Sequence, residues 1–192
     1  MENPFNFYKP KTIFQWLIFL AAIGITLSSP VGARKFSREL NKYLEEKLRE
    51  KAKSFKFKEI SAALYYLKKR ELIEIRKKNG KTIILLTEKG KKRKLQYDLN
   101  NMEIPQPKNW DKKWRLLMFD IPENKKLVRE ALRNKLKDLG FFQFQKSVWV
   151  YPYSCEKEID FIIEYFSIGQ YLTLLTVQIT DDKPLRSVFG LS

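Results

Sequence analysis

Few residues in this sequence could do covalent chemistry. Its 192 residues contain no histidine and one cysteine, Cys155. Zinc needs Cys or His at suitable spacing, so a structural zinc site is excluded. A Ser–His or Cys–His nucleophile pair is excluded for the same reason, and a lone cysteine closes no intramolecular disulfide. Carboxylates with a hard cation remain. The acid best placed for that chemistry is Asp120, which closes an apolar run (WRLLMFD) and precedes Ile121-Pro122. Phosphodiester cleavage needs a cation such as Mg²⁺ held by carboxylates, often two of them, and a homodimer would supply a second Asp120 by symmetry. Within one chain no evident second carboxylate completes such a site. Asp120 is therefore expected to be satisfied by backbone N–H groups at a strand-to-helix turn, with Glu123 an early-helix acid favoured by the helix dipole. The chain reads as non-enzymatic and without a cofactor; Mg²⁺ enters only if Asp120 serves a nuclease.

The other chemistry on offer is recognition of a polyanion. The net charge of +16 is unevenly placed: residues 51–99 hold 16 Lys and Arg against 5 Asp and Glu. Residues 100–192 hold 14 against 12, and residues 1–50 hold 8 against 5. A basic cluster of this density favours nucleic acid, because each neutralised phosphate releases condensed counterions.

The elements that would position these residues can be read from periodicity. Thr12 to Ala33 carries no charge, and Ile13 to Leu27 is largely apolar. With Lys9 and Lys11 ahead of it and Val31-Gly32-Ala33 behind, it has some features of a signal peptide or membrane anchor. The run is short for a bilayer span and contains Gln15, so it is expected to form a buried helix ending near Ser29-Pro30. From Arg34 to Lys53, Phe36, Leu40, Tyr43, Leu44 and Leu48 recur at helical spacing. Ser54 to Lys58 breaks that pattern. A second amphipathic helix follows over Lys58 to Glu71, with Ile60, Ala63, Leu64 and Leu67 inward. Its outer face would carry Ser61, Tyr65, Lys68, Lys69 and Tyr66.

The period then changes to two. Leu72 to Arg76 and Lys81 to Leu86 are β-formers, and Asn79-Gly80 between them supplies the positive φ values of a type I′ hairpin. Thr87 is an expected N-cap for a lysine-rich helix. Helix, helix and basic hairpin, in that order, is the plan of a winged helix-turn-helix. A helix fits the major groove, where base edges are distinguishable, and a basic wing tip suits phosphate or the minor groove. The expected DNA-binding residues are Ser61, Tyr65, Lys68 and Lys69 on the helix with Arg76, Lys77, Lys78 and Lys81 on the wing. Lys89, Lys91, Lys92, Arg93 and Lys94 could add phosphate contacts.

Asn100 to Lys108, with two prolines and no period, marks a linker. Beyond it come a strand (Trp114–Ile121) and a helix (Asn124–Leu139) with Leu127, Ala131, Leu132, Leu136 and Leu139 on one face and Gly140 at its end. An aromatic hairpin or bent strand (Phe142–Tyr151), a helix (Glu156–Phe166) and a last strand (Tyr171–Ile179) complete the series. The expected fold is α+β: a winged helix-turn-helix, then a ferredoxin-like βαββαβ sandwich. The expected divisions are 1–99, a linker at 100–112, a dimerisation domain at 113–180 and a tail at 181–192. Phe141, Phe142, Phe144, Trp149, Tyr151 and Tyr153 are expected in the sheet core and a dimer interface rather than as base-stacking groups.

Three segments of this second half carry a family resemblance: Arg115 to Glu123 (RLLMFDIPE), Arg129 to Arg133 (REALR) with Leu139-Gly140-Phe141, and Gln145 to Pro152 (QKSVWVYP). They resemble the central domain of PaaX-type transcriptional repressors. The same stretch is similar to the small nuclease-like subunit of the CRISPR spacer-acquisition complex, in which the Asp matching Asp120 is the proposed metal ligand. A winged helix ahead of such a domain is similar to the repressors and absent from the CRISPR subunit. The resemblance thus implies a cytoplasmic regulator, a repressor, that binds double-stranded DNA as a homodimer and has no membrane partner. The competing reading is a metal-dependent nuclease or CRISPR adaptation factor using Asp120. PaaX repressors carry a further region after the central domain, whereas this sequence stops at Ser192. The acyl-CoA ligand of some members is accordingly not carried over, and the effector is left open.

Overall fold

A computed structural model describes residues 12–191 except 23, 25, 29–33 and 49–54. The chain divides into two compact units, with the boundary between Asn100 and Asn101.

In the first unit, α1 (Ile13–Ala22) buries Trp16, Leu17, Ile18, Leu20 and Ala21. Among the described residues no helix is long and apolar enough to cross a membrane. The helix is shorter than expected. It ends at Ala22, Gly24 turns the chain at φ +69°, and Thr26–Leu27 forms β1 instead of a further helical turn. The expected end near Ser29-Pro30 and the Val31-Gly32-Ala33 stretch lie outside the described residues. Next come α2 (Arg34–Leu48) and α3 (Phe57–Lys69). Phe36 and Leu40 are buried on α2, while the side chains of Leu44 and Leu48, like Ser54, lie outside the described residues. On α3, Ile60, Ala63, Leu64 and Leu67 are all buried, as their spacing predicts.

The strands β2 (Ile73–Lys78) and β3 (Lys81–Leu86) pair antiparallel, Lys78 opposite Lys81. The loop is therefore Asn79-Gly80 alone, with φ of +53° and +72°, the type I′ geometry that the Asn-Gly pair dictates. β1 adds to β3, giving the order β1-β3-β2. One apolar core joins α1, α2, α3 and the sheet. After β3, Thr87 Oγ1 accepts from the Gly90 N–H at 3.0 Å and caps α4 (Glu88–Asn101). Gly90 is needed there: a Cβ on it would sit 1.9 Å from the Leu72 carbonyl oxygen.

The second unit is built on β4 (Trp114–Phe119), β5 (Phe142–Gln145), β6 (Val148–Tyr151) and β7 (Leu172–Val177). All neighbours are antiparallel, in the order β5-β6-β4-β7. With α5 (Lys126–Asp138) after β4 and α6 (Glu156–Phe166) after β6, this is the ferredoxin-like βαββαβ arrangement. The aromatic stretch is a hairpin with a bulge between Gln143 and Gln145.

Alternation along the strands splits the core between two faces. Leu117, Phe119 and Trp149 lie on one, complemented by the buried faces of α5 and α6. Trp114 and Val150 lie on the other, under Leu185. That leucine belongs to α7 (Lys183–Phe189). The segment expected as a tail therefore contains a docked helix, fixed by Asp182, which accepts from Trp114 Nε1 at 3.0 Å and from Arg186 Nε at 2.8 Å. The expected linker is also anchored in part, since Met102 and Ile104 are buried and Trp110 Nε1 donates to the Pro152 carbonyl at 2.8 Å. Leu127 is a further departure: it is 87% exposed, because the inward face of α5 begins only with half-buried Val128.

Candidate nucleic-acid interface

The first unit presents its cations from two elements. α3 is held in place before it starts. Asn41 of α2 donates from Nδ2 to the Phe55 carbonyl at 3.0 Å and accepts the Phe55 N–H on Oδ1 at 3.2 Å. Glu59 then accepts the Lys56 N–H at 2.8 Å, satisfying a donor at the helix start. At the other end Glu71 adopts φ +58°, and the Leu72 N–H returns to the Leu67 carbonyl. That reversal sends the chain directly into β2, so helix and hairpin are joined by a short, hydrogen-bonded turn.

With Ile60, Ala63, Leu64 and Leu67 buried, the outward positions of α3 follow from its period. Tyr65 is 68% exposed. Lys58, Ala62, Lys68 and Lys69 are exposed and Ser61 is half-buried. The Lys69 ammonium lies 6.0 Å from the Tyr65 ring centre. Tyr66 is turned toward α1, its ring edge-on to Phe14 at 4.8 Å, with the Arg70 guanidinium 5.1 Å away. At the hairpin, Lys77, Lys78, Asn79, Gly80 and Lys81 are all exposed.

Ion pairing sorts the basic residues further. Among the described residues Lys58, Lys68, Lys77, Lys78, Lys81 and Lys92 make no ion pair. Arg76 is different from its expected role in one respect, since Nη2 already meets Glu74 at 2.8 Å. On α4, Lys89 pairs with Glu71 at 3.3 Å and Lys91 with Glu88 at 2.6 Å. Arg93 bonds Gln96 and lies over the Tyr97 ring. Lys94 is buried and paired with Asp98 at 2.5 Å, so it is not available to phosphate. Burial raises the Asp98 carboxyl above its ordinary value, only partly countered by Lys94. The α4 contribution thus narrows to Lys92 and to pairs that would have to open. Exposed pairs are worth only about 0–1 kcal/mol and can open.

Two residues that sequence reasoning missed belong to this surface. Ala62 stands exposed on the outward side of α3 between Lys58 and Tyr65. Asn41 sets the entry into α3; a polar residue within an amphipathic helix gave no periodic signal of that task.

In the second unit Asp120 is exposed. Its backbone N–H donates to the Tyr171 carbonyl, but among the described residues no group bonds its carboxylate, contrary to the backbone capping expected. No group of three or more acids or cysteines that could hold a metal exists among the described residues. Glu123 pairs with Arg129 at 2.7 Å, which holds its carboxyl below the ordinary value. Of the aromatic set, Phe141, Trp149 and Tyr151 are buried and Tyr153 half-buried, whereas Phe142 and Phe144 are exposed.

Residues 107–188 match the family model of the PaaX protein central Cas2-like domain. The resemblance drawn from the β4, α5 and β6 segments is borne out over that stretch. No curated protein matches this chain.

Proposed function

For a chain with this PaaX-like domain, we propose a non-enzymatic, DNA-binding transcriptional regulator, a repressor. In this reading the first unit is a winged helix-turn-helix, with α3 as recognition helix and the β2–β3 hairpin as wing. The Cas2-like unit joins two copies. The observation that carries the reading is the set of exposed lysines without ion-pair partners on α3 and at the hairpin tip. Side chains in this condition can exchange counterions for phosphate at no cost in internal contacts. Ser61, Tyr65, Lys68 and Lys69 would face base edges or the flanking backbone. Lys77, Lys78 and Lys81, with Arg76 after leaving Glu74, would lie on phosphate or enter the minor groove. A dimer would place two α3 helices on a near-palindromic site, half-sites about one helical turn or a small multiple apart. A regulator of this kind works in the cytoplasm and needs no cofactor.

The test is binding of the full chain to labelled duplex DNA, followed by fluorescence anisotropy. Lys68→Ala with Lys69→Ala should weaken binding about tenfold or more at low salt, as expected for the loss of two phosphate or base contacts. Unchanged affinity removes α3 as the recognition helix. Sedimentation of the free chain should give twice the mass of a protomer; a monomer that also binds DNA as a monomer removes the dimeric part.

A further inference from the structure

The second unit contains a cavity of about 500 Å³, within the size range of small-molecule sites. One wall is the segment from Pro105 to Asp111; the other is the turn from Tyr153 to Glu158 that opens α6. The first wall is fixed. Trp110 Nε1 bonds the Pro152 carbonyl at 2.8 Å and the Lys113 carbonyl at 3.1 Å.

The polar groups around the cavity differ in whether they have partners. Asp111 takes Arg115 Nη2 at 2.7 Å and Nη1 at 2.9 Å. Ser154 Oγ accepts from the same guanidinium at 2.8 Å, and Glu156 lies 3.6 Å from Nε. Buried Arg115 therefore engages three of the lining residues. Glu158 is only 8% exposed, and among the described residues its carboxyl has no side-chain hydrogen-bond or ion-pair partner, its own backbone N–H being the group that favours its ionised form. Burial is the strongest influence on it and raises it; Glu156 pushes the same way, and the exposed neighbour Lys157 offsets this only in part.

We propose that this cavity binds a small organic ammonium ion, its apolar body against Pro105, Pro107 and Tyr153 and its charge against Glu158. A buried carboxyl with one hydrogen bond retains most of its acceptor capacity. A primary ammonium supplies three donors and the missing countercharge, and so offsets the desolvation that now disfavours the ionised acid. An anionic ligand would face Asp111, Glu156 and Glu158 against Lys157, the one cation among the lining residues, with the Arg115 Nη donors already engaged. The site lies wholly in the second unit, so it stands or falls apart from DNA binding by the first.

Calorimetric titration of the full chain with benzylamine, benzyl alcohol and benzoate tests this. Benzylamine should bind at least about tenfold more tightly than the alcohol, and benzoate should not bind. Glu158→Gln keeps the size and the backbone hydrogen bond, and should lower benzylamine affinity about tenfold or more. Asn109→Trp, at an exposed position on the cavity wall, should block binding by filling the space. The proposal is overturned by absence of benzylamine binding at about 10 mM, by equal or tighter binding of benzoate, or by unchanged affinity in either variant.

Discussion

The two units follow one rule for their cations in different proportions: arginine tends to be engaged internally, Arg76 with Glu74 and Arg93 with Gln96 in the first unit, and lysine to be left at the surface. In the second, all four arginines of residues 100–192 are tied to carboxylates: Arg115 to Asp111, Arg129 to Glu123, Arg133 to Glu130 and Arg186 to Asp182. Three of them also donate to backbone carbonyls: Arg115 to Lys113 and Pro152, Arg129 to Ile121 and Arg133 to Lys146. In the first unit the excess charge is chiefly lysine, 13 of the 16 basic residues in 51–99, and among the described residues the lysines of α3 and the hairpin tip pair with no carboxylate. A planar guanidinium suits fixed, bidentate internal contacts, whereas an ammonium on a flexible stem suits a yielding contact with an outside partner. The difference teaches that net charge by itself says little; what matters is how much of it the fold has already engaged.

The largest effect that could break this contrast concerns the independence of the two units. Gly90→Ala should destabilise the first unit by about 3 kcal/mol, since its Cβ would collide with the Leu72 carbonyl. Cys155 reports the second unit separately: it is buried, and burial pushes its thiol up to about 12. A thiol reagent should therefore label it only when that unit opens. In Gly90→Ala, hydrogen exchange should accelerate in α3 and α4 while Cys155 labelling stays at the wild-type rate. Faster labelling in step with exchange would mean that the units unfold as one, and the contrast would lose its basis.

A smaller effect should come from Trp114→Phe. It keeps most of the buried ring but leaves Asp182 without its Trp114 hydrogen bond, at about 1–2 kcal/mol. Burial alone would raise the Asp182 carboxyl, yet the Trp114 and Arg186 hydrogen bonds prevail and hold it below its ordinary value. The denaturant midpoint followed by Cys155 labelling should drop, with DNA affinity unchanged. Asn41→Ala should cost about 1 kcal/mol by freeing the Phe55 backbone and should weaken DNA binding severalfold, since α3 loses its fixed entry. Equal DNA affinity in that variant would detach α2 from the site. Smallest of all, Arg129→Ala removes the partly exposed pair with Glu123 and the bond to the Ile121 carbonyl and should shift stability by about 1 kcal/mol or less, with DNA affinity within about twofold of wild type.

How far the sequence carried the fold depends on how many residues share a signal. The four buried positions of α3 repeat with one period, and Asn79-Gly80 admits one turn geometry; both were legible. So was α6, whose apolar face repeats Ile159, Phe161 and Ile162. The misses rest on single contacts. Helix α7 is seven residues long and buries Leu185 alone, β1 is two residues that pair with β3 and bury Leu27 alone, and Trp110 anchors its segment by one indole. Leu127 fits the period of α5 but falls in its first turn, ahead of the inward stripe. Arg115 was hidden for another reason: it occupies an inward position of an apolar strand, and only its partners at Asp111, Ser154 and Glu156, distant or unremarkable in sequence, make that tolerable. At the candidate interface the residue types were legible, while pairing was not. Nothing in the sequence separates Lys94, sealed against Asp98, from the exposed Lys92 two positions before it.

The central claim is that unpaired lysines of the first unit, and not the paired arginines of the second, meet DNA phosphate. The salt dependence of full-chain binding to one duplex measures this directly. Lys77→Ala with Lys78→Ala should flatten the slope of log affinity against log salt by about one to two units, while Arg129→Ala with Arg133→Ala leaves it unchanged. An unaltered slope in the hairpin variant, or flattening in the arginine variant, would contradict the account.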